Sequence, residues 1–320
     1  MDLSRLLNLE CVVVHDGMFH LDDVIFCSLL NAARYILGGI TKPLEVKRAP
    51  RDKVNMIITE LENQHKIFII GDIGGGTFDH HDQRVCRFPI DENATNKIQA
   101  KKMAEPYSAS SKLWLAVGPM VLSERFVSLV DNQFFRALDM NDNFGSLNME
   151  AFGNEKFVNP LSLVVSWMNI DPKDSTIQNN TFANLVEFFS GSMKQMILRY
   201  QNLQKIMVEN NIEEIENNCE YGVVELDKFI DSKLFDSNKV KFVVEPAMTP
   251  GRWQIVSTNS DKHPIIERSK IQTINWAFAQ ELDEYDKNAE HKIFFHESGY
   301  LTNFPNKEWA MKVALMSIIQ

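Results

Sequence analysis

The chain has 320 residues, 44% apolar and 24% charged, a balance typical of a soluble globular protein and a length that favours two domains. Its 33 basic and 43 acidic residues leave a formal net charge of -10, which argues against broad, nonspecific binding to duplex DNA but leaves room for a local basic groove. No apolar run approaches the ~20 residues that a membrane helix requires, so no membrane association is expected.

Met1-Asp2-Leu3-Ser4-Arg5-Leu6 has no basic region followed by an apolar stretch, so no secretory signal is expected. Cys11, Cys27, Cys86 and Cys219 form no C-x-x-C pair, and Cys11 and Cys27 read as small buried hydrophobes in a reducing compartment. A cytoplasmic location is expected.

Cys11-Val12-Val13-Val14 is a β-branched run of strand length that ends at His15, the pattern of a buried parallel strand. From Leu21 to Leu37 apolar residues recur at helical spacing, and Gly38-Gly39 ends that helix. Asp22 and Asp23 fall in its first turn, where the helix dipole favours negative charge; capping is their simplest reading, but it explains neither His15 nor His20. Leu44–Arg48 predicts an outer strand, Arg51–Glu62 a polar-faced helix, and Ile67–Ile70 a strand leading to Asp72. The series reads as βαβ, with side chains at the carboxyl ends of its strands, where open α/β sheets place their sites.

Gly74-Gly75-Gly76 lacks the lysine and hydroxyl residue of a Walker loop and reads as a sharp turn that returns His80 and His81 toward Asp72. Ile90–Lys102 reads as a surface loop, Ser108–Val121 and Glu124–Ala137 as helices, and Val158–Met168 as a short helix. Thr181 to about Asn217 predicts one long helix whose apolar face holds Leu185, Phe188, Phe189, Met193, Met196, Tyr200 and Leu203. After Glu220 short β-like runs follow: Tyr221–Leu226, Val240–Val244, Trp253–Val256 and Lys292–Phe295, with a hairpin-like turn at Pro250-Gly251 and a closing helix over Trp309–Ile319.

The expected fold is therefore α/β: a catalytic domain over residues 1–180 with a mainly parallel sheet flanked by helices, a connector helix over 181–219, and a smaller α+β domain over 220–320. Four of the eight histidines lie in His15-Asp16-Gly17-Met18-Phe19-His20-Leu21-Asp22-Asp23 and Asp79-His80-His81-Asp82. A hydrolytic site with two metal ions needs mixed ligands and usually a bridging carboxylate. His15, His20, Asp22, Asp72, His80 and Asp139 or Asp142 supply enough. Histidine nitrogen together with aspartate oxygen suits Mn²⁺ above all, with Mg²⁺, Co²⁺, Zn²⁺ or Fe²⁺ as other choices. There is no G-x-S-x-G elbow and no convincing cysteine nucleophile.

Asp79-His80-His81 with upstream Asp72 resembles two motifs of the DHH phosphoesterase superfamily, which includes RecJ-type exonucleases, oligoribonucleases and family II inorganic pyrophosphatases. More closely, His15–Asp23 resembles the H-N-G-x-F-H-x-D-E signature of the melanocyte-proliferating-gene protein family, metal-dependent 3′→5′ RNA exonucleases. Leu138-Asp139-Met140-Asn141-Asp142-Asn143, Gly251-Arg252-Trp253-Gln254-Ile255 and Phe295-His296-Glu297-Ser298-Gly299-Tyr300 are similar to further motifs of that family. The chain departs from it at Leu301-Thr302-Asn303-Phe304, where the family usually has I-G-G-H.

The resemblance implies that His15 and His20 bind one metal, Asp22 and His80 the other, and that Asp72 bridges them. Asp139 or Asp142 adds a further ligand, and His81 with Arg84 or Arg87 contacts phosphate. Arg252, His296, Ser298 and Gly299 would meet the substrate, with Trp253 or Tyr300 stacking on a base. The expected activity is 3′→5′ hydrolysis of single-stranded RNA or short oligonucleotides by water activated between two divalent metals. A hydrolase of small phosphoanhydrides or cyclic dinucleotides, and a metal-stabilised RNA-binding protein without turnover, are the alternatives. Self-association of the chain is left open.

Overall fold

The computed structural model describes residues 1–73, 76–79, 85–144, 160–169, 174–287 and 292–319. Two compact units, Met1–Gln204 and Lys205–Gln320, divide the chain.

The first unit is built on a parallel sheet. After α1 (Leu3–Leu7) come β1 (Cys11–His15), α2 (Leu21–Gly38), β2 (Glu45–Ala49), α3 (Val54–Asn63) and β3 (Phe68–Ile70), with strand order β2-β1-β3. Both neighbours run parallel to β1, in a register that pairs His15 with Ala49 and Val13 with Ile70. Every residue of β1 is buried, as expected for a central strand with helices on both faces. Cys11 and Val13 pack with Val54 and Leu61 of α3, while Val12 and Val14 point to the opposite face. Burial pushes both thiols up, Cys11 to about 11 and Cys27 well above the usual thiol range, so neither is a nucleophile near neutral pH.

Helices complete this unit: α4 (Lys97–Ala104), α5 (Ala109–Val121), α6 (Glu124–Val130), a π-helical turn (Asp131–Phe135), α7 (Arg136–Phe144), α8 (Pro160–Trp167) and α9 (Ser175–Glu209). Two of these, α4 and α9, differ from the sequence reading. The stretch expected as a surface loop contains α4, because Asn96 caps it by accepting from the Gln99 N–H. The expected long helix stops at Glu209, since Asn211 takes a left-handed conformation (φ 50°) and α10 (Ile212–Asn217) starts anew. The buried face of α9 is Phe182, Leu185, Val186, Phe189, Met193 and Ile197, a clean three-four spacing that leaves Phe188 67% exposed.

The second unit carries β4 (Val223–Glu225), β5 (Phe242–Pro246), β6 (Trp253–Ser257), α11 (Arg268–Ile274), α12 (Trp276–Tyr285), β7 (Phe294–Phe295), β8 (Leu301–Phe304) and α13 (Lys307–Ile319). Its sheet has order β4-β5-β6-β8-β7, with only the β4–β5 pair parallel. Ala310, Val313 and Ala314 of α13 pack on Phe242, Val244, Ile255 and Phe304. Gly251, at φ +77°, makes the β5–β6 turn. Strand β8 is the Leu-Thr-Asn-Phe segment that departs from the family pattern; branched and aromatic residues there join the ladder between β6 and β7.

One close approach fixes the site's scaffold. Gly71, just beyond β3, lies so near the Phe26 ring of α2 that an added Cβ would sit 2.5 Å from its Cε1. Gly71→Ala is expected to destabilise the protein by about 1–3 kcal/mol, the usual cost of overpacking. A lower denaturation midpoint with an unchanged denaturant slope checks this.

Candidate metal centre

The carboxyl ends of β1 and β3 lie side by side, so the residues that follow them converge. His15 ends β1, and its Nδ1 lies 2.8 Å from the Asp16 carbonyl. A carbonyl only accepts, so Nδ1 carries the proton, and Nε2 is left facing Asp23 Oδ2 at 3.0 Å and Asp72 Oδ2 at 3.4 Å. Asp72 adopts a left-handed backbone (φ 51°), a conformation aspartate tolerates better than most residues. All three side chains are buried.

His20 precedes α2, and its backbone N–H donates to Asp23 Oδ2 at 2.9 Å. The same carboxylate therefore closes the first turn of the helix and faces His15. The rings of His15 and His20 lie 5.9 Å apart. One ligand atom each from His15, His20 and Asp23 fall within 4.8 Å of one another. Ligands of an ion with bonds of ~2.0–2.2 Å sit at most about 4.4 Å apart, so a small side-chain adjustment would bring these three around one ion. Asp23 Oδ1 is buried without a hydrogen-bond partner among the described residues, a costly arrangement in the absence of a positive charge.

The electrostatics agree with that fit. Burial by itself holds the His15 imidazole down, yet hydrogen bonds to Asp23 and Asp72 outweigh it and push the pKa up to about 11. The carboxylates thus favour positive charge at Nε2, whether a proton or a metal ion supplies it. Nitrogen and oxygen donors in this mixture suit a transition-type divalent ion better than Ca²⁺, which takes oxygen alone.

The remaining candidates separate by environment. Asp142, on α7, brings Oδ1 to 4.0 Å from His20 Nδ1, with its side chain 7% exposed. Asp139, one turn earlier, is turned elsewhere. Its Oδ1 accepts from the Ser108 N–H at 2.9 Å and the Ser111 hydroxyl at 2.5 Å, and its Oδ2 pairs with Arg87. Burial pushes the Asp139 carboxyl up, against the Arg87 charge and the two serines. Arg87 is neither a surface charge nor turned to solvent for phosphate: its side chain is 6% exposed, and its guanidinium also grips Asp131.

Asp22 is fastened to the first turn of α5, accepting from the N–H groups of Ala109 (3.1 Å) and Ser110 (2.9 Å) and from the Ser110 hydroxyl. The carboxylate that meets the two histidines is its neighbour Asp23, which the sequence reading left as a capping residue. His80, His81 and Arg84 lie outside the described residues. Asp79 is described, and its carbonyl accepts from Lys112 Nζ at 2.6 Å.

In the second unit the candidate substrate residues cluster on the β7–β8 hairpin. The Ser298 N–H donates to His296 Nδ1 at 3.2 Å, so a neutral His296 carries its proton on Nε2. Gly299 turns the chain at φ +65°, and a Cβ there would lie 2.9 Å from Pro264. The His296 ring lies 6.1 Å from that of Phe294 and 6.5 Å from that of Tyr300. Those two outer rings are 47% and 40% exposed. Arg252 donates through Nη2 to the Lys292 carbonyl at 2.9 Å. Trp253, by contrast, packs against the core, with the Lys307 ammonium 5.4 Å from its ring centroid.

Motif, fold and donor set together define an α/β protein with a candidate metal site. The chain belongs to the MYG1 exonuclease family, described as uncharacterised protein family UPF0160, which matches residues 11–318. The resemblance drawn from the sequence motifs is thereby shown over nearly the whole chain. Among solved structures, exonuclease RecJ bound to manganese is similar over 99% of this chain and 94% of that one, at 12% identity and a TM-score of 0.25, too low to bear on the site. No curated protein sequence matches this chain. Among the described residues, no helix is long and apolar enough to cross a membrane.

The surroundings of the two α7 aspartates are tested by different substitutions. Arg87→Met strands the buried Asp139 carboxylate and is expected to cost about 3–5 kcal/mol of stability, as breaking a buried pair does. Asp142→Asn should weaken manganese binding. Thermal unfolding in EDTA beside manganese calorimetry checks both.

Proposed function

We propose that this chain is a divalent-metal-dependent phosphodiesterase that removes nucleotides from the 3′ end of single-stranded RNA or short oligonucleotides, with manganese as its preferred ion. The observation that carries the reading is the placement of His15, His20, Asp23 and Asp72 at the carboxyl ends of β1 and β3, in a member of a family named for exonuclease activity.

In this reading His15, His20 and Asp23 would hold one ion, and Asp72, Asp22, His80 and Asp142 would supply the ligands for a second. Bound divalent ions would lower the pKa of a water molecule and offset charge on phosphate oxygens. The protein's own groups do the rest. The Asp16 carbonyl fixes the tautomer of His15, so that Nε2 is the coordinating atom. The buried walls of β1 and α2 keep the two carboxylates beside it in a low-dielectric setting, where their charge acts strongly. Asp139 and Arg87 anchor α7 on α5, and so carry Asp142 to its place beside His20.

The family resemblance assigns phosphate contacts to His81 and Arg84, and on the second unit, taken by itself, it marks Arg252, His296, Ser298 and Gly299 as nucleotide-binding. The exposed rings of Phe294 and Tyr300 beside His296 support a role in gripping unpaired nucleotides, because bases stack on aromatic rings without regard to sequence. Strand β8 favours a second reading at the level of substrate length. Residues with side chains stand there where the family carries glycines, on a strand paired on both sides, and this change suits a dinucleotide or small phosphoanhydride.

The test is a side-by-side incubation of the manganese-loaded protein with 3′-labelled RNA, single-stranded DNA, a dinucleotide and pyrophosphate. Release of mononucleotides from RNA is expected, and Asp72→Asn and His80→Ala should each lower the rate by at least about 10²-fold. Product only from the dinucleotide or pyrophosphate would establish the shorter substrate. RNA binding without product from any substrate would contradict the enzymatic reading.

A further inference from the structure

The turn between His15 and His20 is fastened by residues that the metal reading does not use. Phe19 donates its N–H to Asn169 Oδ1 at 3.0 Å, and its carbonyl accepts from Asn169 Nδ2 at 3.0 Å. One side-chain amide thus satisfies both polar groups of one residue, as a neighbouring strand would. Among side chains that stay neutral near pH 7, a primary amide is the one that offers an N–H donor and a carbonyl acceptor side by side. The same Nδ2 lies 3.3 Å from the Val165 carbonyl, which ties the amide back to α8.

The Phe19 side chain is held as firmly as its backbone. It is 1% exposed and meets Phe182 of α9 edge-on at 5.4 Å. The Arg48 guanidinium lies over both rings, 5.3 and 5.0 Å from their centroids. It also donates to the Gly17 carbonyl at 2.7 Å and to Asn179 Oδ1 at 3.1 Å. His20, the next residue, has a side chain 61% exposed. An imidazole so open to solvent has little packing of its own to place it, so its position depends on the backbone that Phe19 fixes.

We propose that Asn169 is a positioning residue of the metal centre: its amide locks the Phe19 peptide, and thereby presents His20 to the ion that His15 and Asp23 share. The proposal rests on the metal reading given above. It adds a residue 150 positions from Phe19 in sequence, just beyond the end of α8, to the machinery of the site. It also accounts for an otherwise unexplained pairing, since an amide that merely capped α8 would have no need of both polar groups of Phe19.

Two measurements and a rescue assay on wild type, Asn169→Ala and Asn169→Asp test it. The first is hydrogen exchange of the metal-free proteins, followed over the Asp16–His20 turn and over β1 and α2. The second is manganese calorimetry. In Asn169→Ala, exchange should quicken at Phe19 and not in β1 or α2, and manganese affinity should fall about tenfold, the low end of the range for residues that support metal ligands. Asn169→Asp keeps the size of the side chain but loses the donor to the Phe19 carbonyl, and should weaken manganese similarly. Excess manganese should then restore nuclease activity to the Asn169 variants but not to His20→Ala.

Wild-type affinity in Asn169→Asp overturns the proposal even if Asn169→Ala fails to fold. Faster exchange throughout β1 and α2 in Asn169→Asp also overturns it, because the residue is then a general structural support. A wild-type chain that takes up no manganese overturns the metal reading and this proposal with it. Normal wild-type uptake together with unaltered Asn169 variants removes the proposal alone.

Discussion

The contact between His15 Nδ1 and the Asp16 carbonyl is the constraint on which the site depends. It settles the tautomer of a buried imidazole and leaves Nε2 as the one atom that can answer the carboxylates of Asp23 and Asp72. The rest of the N-terminal sheet serves that arrangement. Parallel pairing of β1 with β3 brings two strand ends to one edge, and the left-handed backbone of Asp72 turns its carboxylate back across the gap. Buried negative charge then seeks a positive partner. Against the effect of burial, hydrogen bonding to the two aspartates raises His15 to about 11, so the metal-free site favours a proton where an ion would otherwise sit.

Around this centre the buried carboxylates divide into two kinds. Asp22 and Asp139 are tied by donors from α5, and Asp139 also by Arg87; both hold helices together, whatever further part the proposed second ion gives Asp22. Asp23, Asp72 and Asp142 approach histidines. Concentrating so many carboxylates in one region is unfavourable unless each has a positive or hydrogen-bonding partner. The structure meets that requirement for the first kind through peptide N–H groups, serine hydroxyls and a guanidinium. For the second kind His15 and the His20 N–H supply part of that partnership, and the proposed divalent ion would add to it.

Much of this was legible in the chain itself. The β-branched run before His15, the apolar run before Asp72 and the helical spacing after Leu21 are local signals, and the folded sheet follows them. The place of His15 and Asp72 follows from the general rule for open α/β sheets. Choosing between Asp22 and Asp23 was beyond the sequence, because adjacent helical residues point about 100° apart and the choice depends on α5 arriving from 87 positions away. Arg87 shows the same limit: a lone arginine beside the histidine motif suggests phosphate, and only the fold reveals two aspartates waiting for it. Asn169 carried no signal at all, since pairing with Phe19 spans 150 positions and uses no motif. In the C-terminal unit, β8 escaped notice because its four residues were read as a lost glycine pair and not as a strand.

The most direct test of the central claim is anomalous scattering from crystals soaked in manganese, recorded at the manganese absorption edge. The account expects a peak bonded to His15 Nε2 and to carboxylate oxygens of Asp23 and Asp72. A well-ordered site without that peak, its imidazole still held between the two carboxylates while manganese sits elsewhere or nowhere, would contradict it.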